Sequence, residues 1–264
     1  MIDIHTHILP KVDDGAPNIE ESLKMLQQAQ DDGVETVVLT PHILNNTEFS
    51  NEDKYVDLYN RLLKAADDEN IELNIFLGSE IYVQPEMALD KKMATLNNNG
   101  TYFLVEFPMG SIPLFVAEKF FNIIANGMIP IIAHPERNMG FLKRPEFAYE
   151  FVKRGALIQV NSGSILGHFG SKVKALTFKL LDHNLVHFVA SDCHNANTRR
   201  CCLGKARKVI VEKWGHEMAE ALFRENAQLV LKGIKLAPPE PMVLAIQSET
   251  TIDKIRTLLK KLNI

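Results

Sequence analysis

Seven short apolar or β-branched runs recur along the chain, six of them followed by a stretch with helical periodicity, and this alternation constrains the fold more than any other feature. The runs are Ile2–Thr6, Thr36–Thr40, Leu73–Ser79, Tyr102–Glu106, Ile129–Ala133, Leu157–Asn161 and His187–Ser191. Most have the composition of strands that a parallel sheet buries on both faces. The Leu73 run is mixed, and its start is the least defined. Helices are expected over Asn18–Asp31, Asn51–Glu69, Ala117–Asn126, Arg144–Arg154, Ser171–His183 and Cys202–Trp214. Gly33, Gly127 and Gly155 each follow a helix and precede a strand, the place for a left-handed C′ residue. Strand–helix alternation means parallel βα units, and seven of them point to a closed or nearly closed α/β barrel. An open doubly wound sheet is the alternative. A chain of 264 residues, 46% hydrophobic, can bury one such core as a single domain.

That domain is expected to span 1–236. The Pro-rich stretch Ala237–Pro241 reads as a break, and 237–264 as a tail ending in a short basic amphipathic helix over Thr251–Leu262. The helix would pack on the body or dock a partner. A net charge of −4 and a pI near 6.1 give no general attraction to nucleic acid or an anionic bilayer. No apolar run is long enough to span a membrane, and the N-terminus lacks the pattern of a signal peptide. Three cysteines crowded between 193 and 202 are no disulfide framework. The expectation is a cytoplasmic protein of open oligomeric state.

The chemistry follows the strands. The first run carries His5-Thr-His7, and residues two apart on a strand share a face. Asp13 and Asp14 lie in the next loop. His42 follows the second run, Glu80 the third, Glu106 closes the fourth, His134 and Arg137 follow the fifth, and Asp192 and His194 the seventh. Any one loop histidine is most simply a hydrogen-bonded side chain. In a barrel, however, six of the seven strands would bring His, Asp or Glu to one rim, where active sites are built. So many imidazoles and carboxylates together are costly unless solvated or metal-bound. Mixed N and O donors without thiolate suit zinc, manganese or iron, and their number exceeds the needs of one ion. Two or three ions sharing carboxylates can hold the attacking and leaving oxygens of a phosphoryl displacement.

His5-x-His7, Val12-Asp-Asp-Gly15, His42, Gly78-Ser-Glu80-Ile-Tyr82, Glu106-Phe107, Ala133-His134-x-Glu-Arg137, Gln159-Val-Asn-Ser162 and Ala190-Ser-Asp-x-His-Asn195 together resemble the PHP (polymerase and histidinol phosphatase) superfamily. Within it, they resemble the bacterial metal-dependent protein-tyrosine phosphatases of the CpsB/YwqE type, over about residues 1–236. The resemblance implies a distorted (β/α)7, TIM-like barrel with three metal ions, usually Mn2+, with iron or zinc possible in part. The first ion would take His5, His7, Glu80 and Asp192. The second would take Glu80 as a bridge, Glu106 and His134. The third would take Asp14, His42 and His194, of which Asp14 and His42 would also serve catalysis. Arg137 and Arg199 would grip the substrate phosphate. A hydroxide held between metals would attack phosphotyrosine, whose leaving phenol has a parent pKa of about 10. The implied substrate is the phosphotyrosine tail of a bacterial tyrosine kinase governing capsule or exopolysaccharide synthesis. Another PHP phosphoesterase, such as a histidinol phosphatase or nuclease, could use the same rim. A non-catalytic metal-binding regulator would normally show lost ligands, and none is lost here.

One rival pattern lies in the same stretch. Cys193 and Arg199 are separated by five residues, the spacing of the thiol-based phosphatase loop. That loop needs a tight, usually glycine-bearing path around phosphate, and the intervening His-Asn-Ala-Asn-Thr has no glycine. Cys193 should also point away from its flanking ligands. Cys201 and Cys202 read as reduced thiols. His168, His183, His187 and His216 read as loop, turn or surface residues, with His168 able to line the site mouth. Asp13 reads as loop structure that could exchange roles with Asp14. Phe103, Phe107, Phe120 and Phe121 read as core, with Phe141 and Tyr82 able to edge the cleft.

Overall fold

The structure, a computed structural model, describes residues 1–244; the helix expected over 251–262 lies outside them. The strands are β1 (Ile2–Thr6), β2 (Thr36–Leu39), β3 (His42–Ile43), β4 (Asn74–Leu77), β5 (Glu80–Tyr82), β6 (Tyr102–Glu106), β7 (Ile129–Ala133), β8 (Leu157–Asn161) and β9 (Phe188–Ala190). The main helices are α1 (Ile19–Asp31), α2 (Glu52–Asp68), α3 (Val116–Ala125), α4 (Met139–Lys143), α5 (Glu146–Lys153), α6 (Ser162–Leu166), α7 (Ser171–Asp182), α8 (Leu203–Trp214), α9 (His216–Glu220) and α10 (Asn226–Leu231). All strand pairs are parallel, in the orders β1-β2-β4 and β3-β5-β6-β7-β8-β9. Gly33, Gly127 and Gly155 all take positive φ after their helices.

Seven staves make a distorted barrel. Two expected strands are broken: Thr36–Thr40 stops at Leu39 and resumes as β3, and Leu73–Ser79 narrows to β4 and resumes as β5. Pro41 lacks the N–H that would carry the ladder through the first break. Pairing crosses the gap through Gly78 N to Leu39 O at 2.8 Å and Glu80 N to Pro41 O at 3.0 Å. The last and first staves join through Asp192 N to His5 O and His7 N to Cys193 O, both 2.9 Å. The expected His187–Ser191 strand is trimmed to β9, and the seam is made by Asp192 and Cys193 just beyond it.

Side-chain alternation sorts the strands into two cores. Ile2, Ile4, Val38, Leu104, Ile131, Leu157 and Phe188 fill the barrel, and Ala227, Val230 and Leu231 of α10 close its lower end. Val37, Phe103, Val105, Ile132, Val160 and Val189 face the helices. Burying these side chains contributes roughly 1.5–3 kcal/mol for each large one. Phe107, Phe120, Phe141 and Phe151 form one ring cluster beneath α3, α4 and α5. Phe141, expected near the cleft, is therefore core, whereas Phe121 on the outer face of α3 is 65% exposed. His187, expected at a turn surface, is buried as the acceptor of the Ile158 N–H. Beyond α10, Leu236 N bonds the buried Tyr102 phenol and Met242 N bonds His183 O, so the Pro-rich stretch runs along the body. No described helix is long and apolar enough to cross a membrane.

Candidate metal centre

The first stave shows how an apolar barrel interior gives way to a polar rim. Ile2 and Ile4 face inward, so simple alternation would send His5 outward. Between Asp3 and Thr6, β1 uses one residue more than β2, a bulge that resets the phase. His5 and His7 thereby turn inward, both fully buried, with their Nε2 atoms 3.2 Å apart. Ala133 faces inward at the end of β7, so His134 would also point away. It takes an uncommon left-handed φ of 32°, which redirects its ring over the barrel mouth.

All nine expected ligands meet there. Glu80 is the hub: its Oε2 lies 3.2 Å from His5 Nε2, 3.3 Å from His7 Nε2 and 3.0 Å from His42 Nδ1, and its Oε1 lies 3.0 Å from His134 Nε2. Glu106 stands beyond it, 3.7 Å from His134 and 3.9 Å from His42. Asp192 Oδ1 lies 3.4 Å from His7 Nε2 and 3.6 Å from His5 Nε2. Asp14, the most exposed member, sits 3.5 Å from His42 Nε2 and 3.3 Å from His194 Nε2. Donor atoms cluster as His5–His7–Glu80, His5–His134–Asp192, His42–Glu80–Glu106 and His7–Asp14–His42–His194.

Supporting residues extend outward from the candidate ligands. Asp13 Oδ2 lies 2.8 Å from His7 Nδ1 and accepts the His42 N–H, while Oδ1 accepts the Gly15 N–H. Asp13 is thus part of the site's support rather than simple loop structure. A Cβ at Gly15 would fall 2.1 Å from His7 O, so only glycine lets this loop close over the strand end. Gln159 Oε1 lies 2.8 Å from His5 Nδ1, and Gln159 Nε2 donates to Asn161 Oδ1. Asn161 donates to Asp192 Oδ2 at 2.7 Å. These amides carried no assigned role in the sequence reading. Their signal was available: Gln159 and Asn161 share the inward phase of Leu157 on an otherwise apolar strand. Arg137 and Arg199 both reach Asp192 Oδ2, at 2.7 and 2.9 Å, and Arg137 lies 4.3 Å over the Phe169 ring.

The electrostatics follow from this crowding. Burial opposes the charged form of Glu80, but His5, His134 and His42 outweigh it and hold the carboxyl well below its usual range. Asp192 is likewise held well down, burial being overcome by His5 and His7. Burial disfavours the His7 cation, yet Asp13, Asp192 and Glu80 raise its pKa well above the imidazole value. Burial and the charge of His7 push His194 down to about 3. Glu106 is raised by burial and by Glu80. Cys193 is 1% exposed among the outer-core residues, its thiol pushed far up by burial and then by Asp3, so it has no thiolate to offer. All three cysteines are free.

The donors fit divalent cations. Glu80 Oε2 and His42 Nδ1 are buried without a hydrogen-bond partner although they face one another, and two imidazole Nε2 atoms point at the same carboxylates. Cations among them would give each lone pair a partner.

Fold and site define a class: a TIM-like parallel βα barrel with a His and carboxylate centre, suited to metal-dependent hydrolysis, on its carboxyl rim. The family described as "Capsular polysaccharide synthesis, CpsB/CapC" matches residues 1–232. The chain belongs to that family. It is 39% identical over 247 residues to the tyrosine-protein phosphatase YwqE of Bacillus subtilis, covering 92% of this chain and 96% of that one. It is 35% identical over 240 residues to the tyrosine-protein phosphatase CpsB of Streptococcus agalactiae, covering 88% and 98%. A structure from work on YwqE of B. subtilis and CpsB of Streptococcus pneumoniae, described as unique metal-dependent tyrosine phosphatases, superposes with a TM-score of 0.86 at 38% identity, covering 92% of this chain and 99% of that one. The phosphotriesterase of Mycobacterium tuberculosis shares the fold alone, with a TM-score of 0.55 at 11% identity over 88% of this chain and 93% of that one.

Proposed function

We propose that this protein is a manganese-dependent protein-tyrosine phosphatase acting on the phosphotyrosine tail of a bacterial tyrosine kinase in capsule or exopolysaccharide synthesis, with residues 1–236 as the catalytic unit. The observation that carries the reading is the convergence of nine N- and O-donor side chains, with Glu80 among them fully buried and one of its oxygens left unpartnered. His5, His7, Glu80 and Asp192 would hold one ion, Glu80, Glu106 and His134 a second, and Asp14, His42 and His194 a third. His5, His7, His42 and Glu80 each belong to two of the observed donor groups, which suits a compact cluster with shared ligands. When bound, the ions supply Lewis acidity and lower the pKa of the water that serves as nucleophile.

The protein's own contribution is orientation and charge. Asp13 and Gln159 take the Nδ1 atoms of His7 and His5, which directs both Nε2 lone pairs inward. Asp192 divides its labour, with Oδ1 toward the imidazoles and Oδ2 holding Arg137 and Arg199 at the rim. A guanidinium has five N–H donors, so each arginine keeps donors for the equatorial oxygens of a phosphate. Phe169 packs beneath Arg137 and fixes the plane of its fork.

Turnover of a phosphotyrosine peptide with manganese, with and without chelator, in wild type and Cys193→Ser tests the reading. Activity abolished by chelator and retained in Cys193→Ser is expected. Chelator-resistant activity that disappears in Cys193→Ser would overturn the metal route. Turnover of histidinol phosphate or an oligonucleotide in place of the peptide would overturn the substrate.

A further inference from the structure

Beside the ligand cluster, the rim carries a recess that extends past the proposed centre. A cavity of about 290 Å³ lies between the loop after α6 and the segment leading into α8. Asp192 stands at its inner end, Phe169 forms part of its wall, and His168, Arg199, Arg200 and Lys205 line the rest. The recess therefore shares Asp192 and Arg199 with the proposed centre.

Its charge runs against that of the molecule. The chain carries −4 overall, yet three permanent cations meet at this mouth. Its carboxylate, Asp192, is already matched by Arg137 and Arg199. Arg199 is turned inward by that contact. Arg200 and Lys205 are exposed, and among the described residues neither lies within 4.0 Å of a carboxylate oxygen. Asp31 and Asp32 line a separate recess with them, where Asp32 Oδ2 accepts the Gly204 N–H at 2.8 Å. Cations left unpaired at a concave surface attract an anion more strongly than the same charges on a convex one.

We infer that this recess is a subsite for a second anion on the substrate peptide, a carboxylate or phosphorylated side chain flanking the phosphotyrosine, with Arg200 and Lys205 as its specificity-determining residues. The inference rests on the phosphatase reading and names a feature of its substrate. Because both cations are exposed, their contribution is the modest, salt-screened kind, and it enters through capture of the peptide rather than through the chemical step.

The test uses three phosphotyrosine peptides of equal length, whose flanking residues are neutral, Asp/Glu or phosphoserine, together with p-nitrophenyl phosphate. Wild type and the Arg200→Gln/Lys205→Gln double variant are compared in kcat/KM. Wild type should prefer at least one anionic peptide about three- to tenfold at low salt. The double variant should lose that preference while turning over the neutral peptide and p-nitrophenyl phosphate as wild type does. The anionic peptide that is preferred identifies the anion as carboxylate or phosphate. No preference in wild type, or one that survives in the double variant, overturns the subsite. Failure to turn over any of the four esters with manganese, zinc or iron overturns the phosphatase reading instead. Fluorescence anisotropy of the labelled peptides then decides the subsite: tighter binding of an anionic peptide, lost in the double variant, upholds it, and equal binding overturns it.

Discussion

Asp13→Asn is the most informative single change that leaves every proposed ligand in place. Asp13 is mostly buried, and Oδ2 lies 2.8 Å from His7 Nδ1. A carboxylate there only accepts, so His7 must carry its proton on Nδ1 and turn the Nε2 lone pair toward Glu80 and Asp192. An amide has one acceptor oxygen. The Gly15 and His42 N–H groups, both now bonded to Asp13, compete for it, and the amide NH2 is left facing Nδ1. The favoured tautomer then inverts, placing a proton on Nε2, where a cation should sit. Removing such a supporting contact typically costs 10–100-fold in metal affinity, which is about 1.4–2.8 kcal/mol. Calorimetric titration with manganese, paired with activity against manganese concentration, reads this directly. The half-saturating concentration should rise within that range, with unchanged circular dichroism and with kcat largely restored at saturating metal. A half-saturating concentration within twofold of wild type would refute the tautomer reasoning.

Three further outcomes follow from other parts of the site and core. Because His5 and His7 are both held above the ordinary imidazole pKa, protons compete with metal over a wide range; loading should weaken about tenfold per pH unit for each imidazole proton displaced as pH falls, and a flat titration between pH 5.5 and 8 would count against it. Arg137→Lys keeps the charge but loses the fork and the stack on Phe169, so kcat/KM on phosphotyrosine should fall roughly 10–100-fold with metal stoichiometry unchanged. Burial pushes His187 from 6.5 down to about 4, so it is neutral in the fold, and its stabilising contribution, full above the unfolded value, is lost as pH falls toward the folded one. That loss is about 3 kcal/mol in all, and His187→Asn, which keeps an acceptor for the Ile158 N–H, should show a correspondingly shallower decline between pH 7 and 4.5 in urea unfolding of the metal-free protein.

What could be read from the chain alone divides along a physical line. Strands β1, β6, β7 and β8 match their expected limits. The broken staves were harder. Thr40-Pro41 and Gly78-Ser79 interrupt ladders whose second halves, His42–Ile43 and Glu80–Tyr82, are too short to show any period. The candidate ligands are legible because imidazoles and carboxylates at buried strand ends are costly unless they bind something. Phe121 and His187 misled for the complementary reason. Residue type alone cannot tell which side of α3 meets the sheet, or that a histidine next to a turn is the one whose ring accepts a backbone N–H inside the sheet.

The positioning residues show where such reading stops. Gln159 and Asn161 are neutral amides, and their cost of burial is met by hydrogen bonds of ordinary length, so nothing in their chemistry alone marks them as functional. What marks them is phase. On β8 the inward positions run Leu157, Gln159, Asn161, from the packed floor of the barrel to its reactive rim, while Ile158 and Val160 face the helices without interruption. A strand that turns polar on one face only, and only toward its carboxyl end, is reporting the depth at which core gives way to site. β1 makes the same transition by a bulge that no alternation rule anticipates, and β7 makes it by a left-handed residue at His134. Three staves thus use three local devices for one requirement: apolar below, donors above, within five residues or so of strand. The requirement is visible in the residue types. Which device meets it depends on where the neighbouring stave supplies its hydrogen bonds, and that is settled only when the barrel closes.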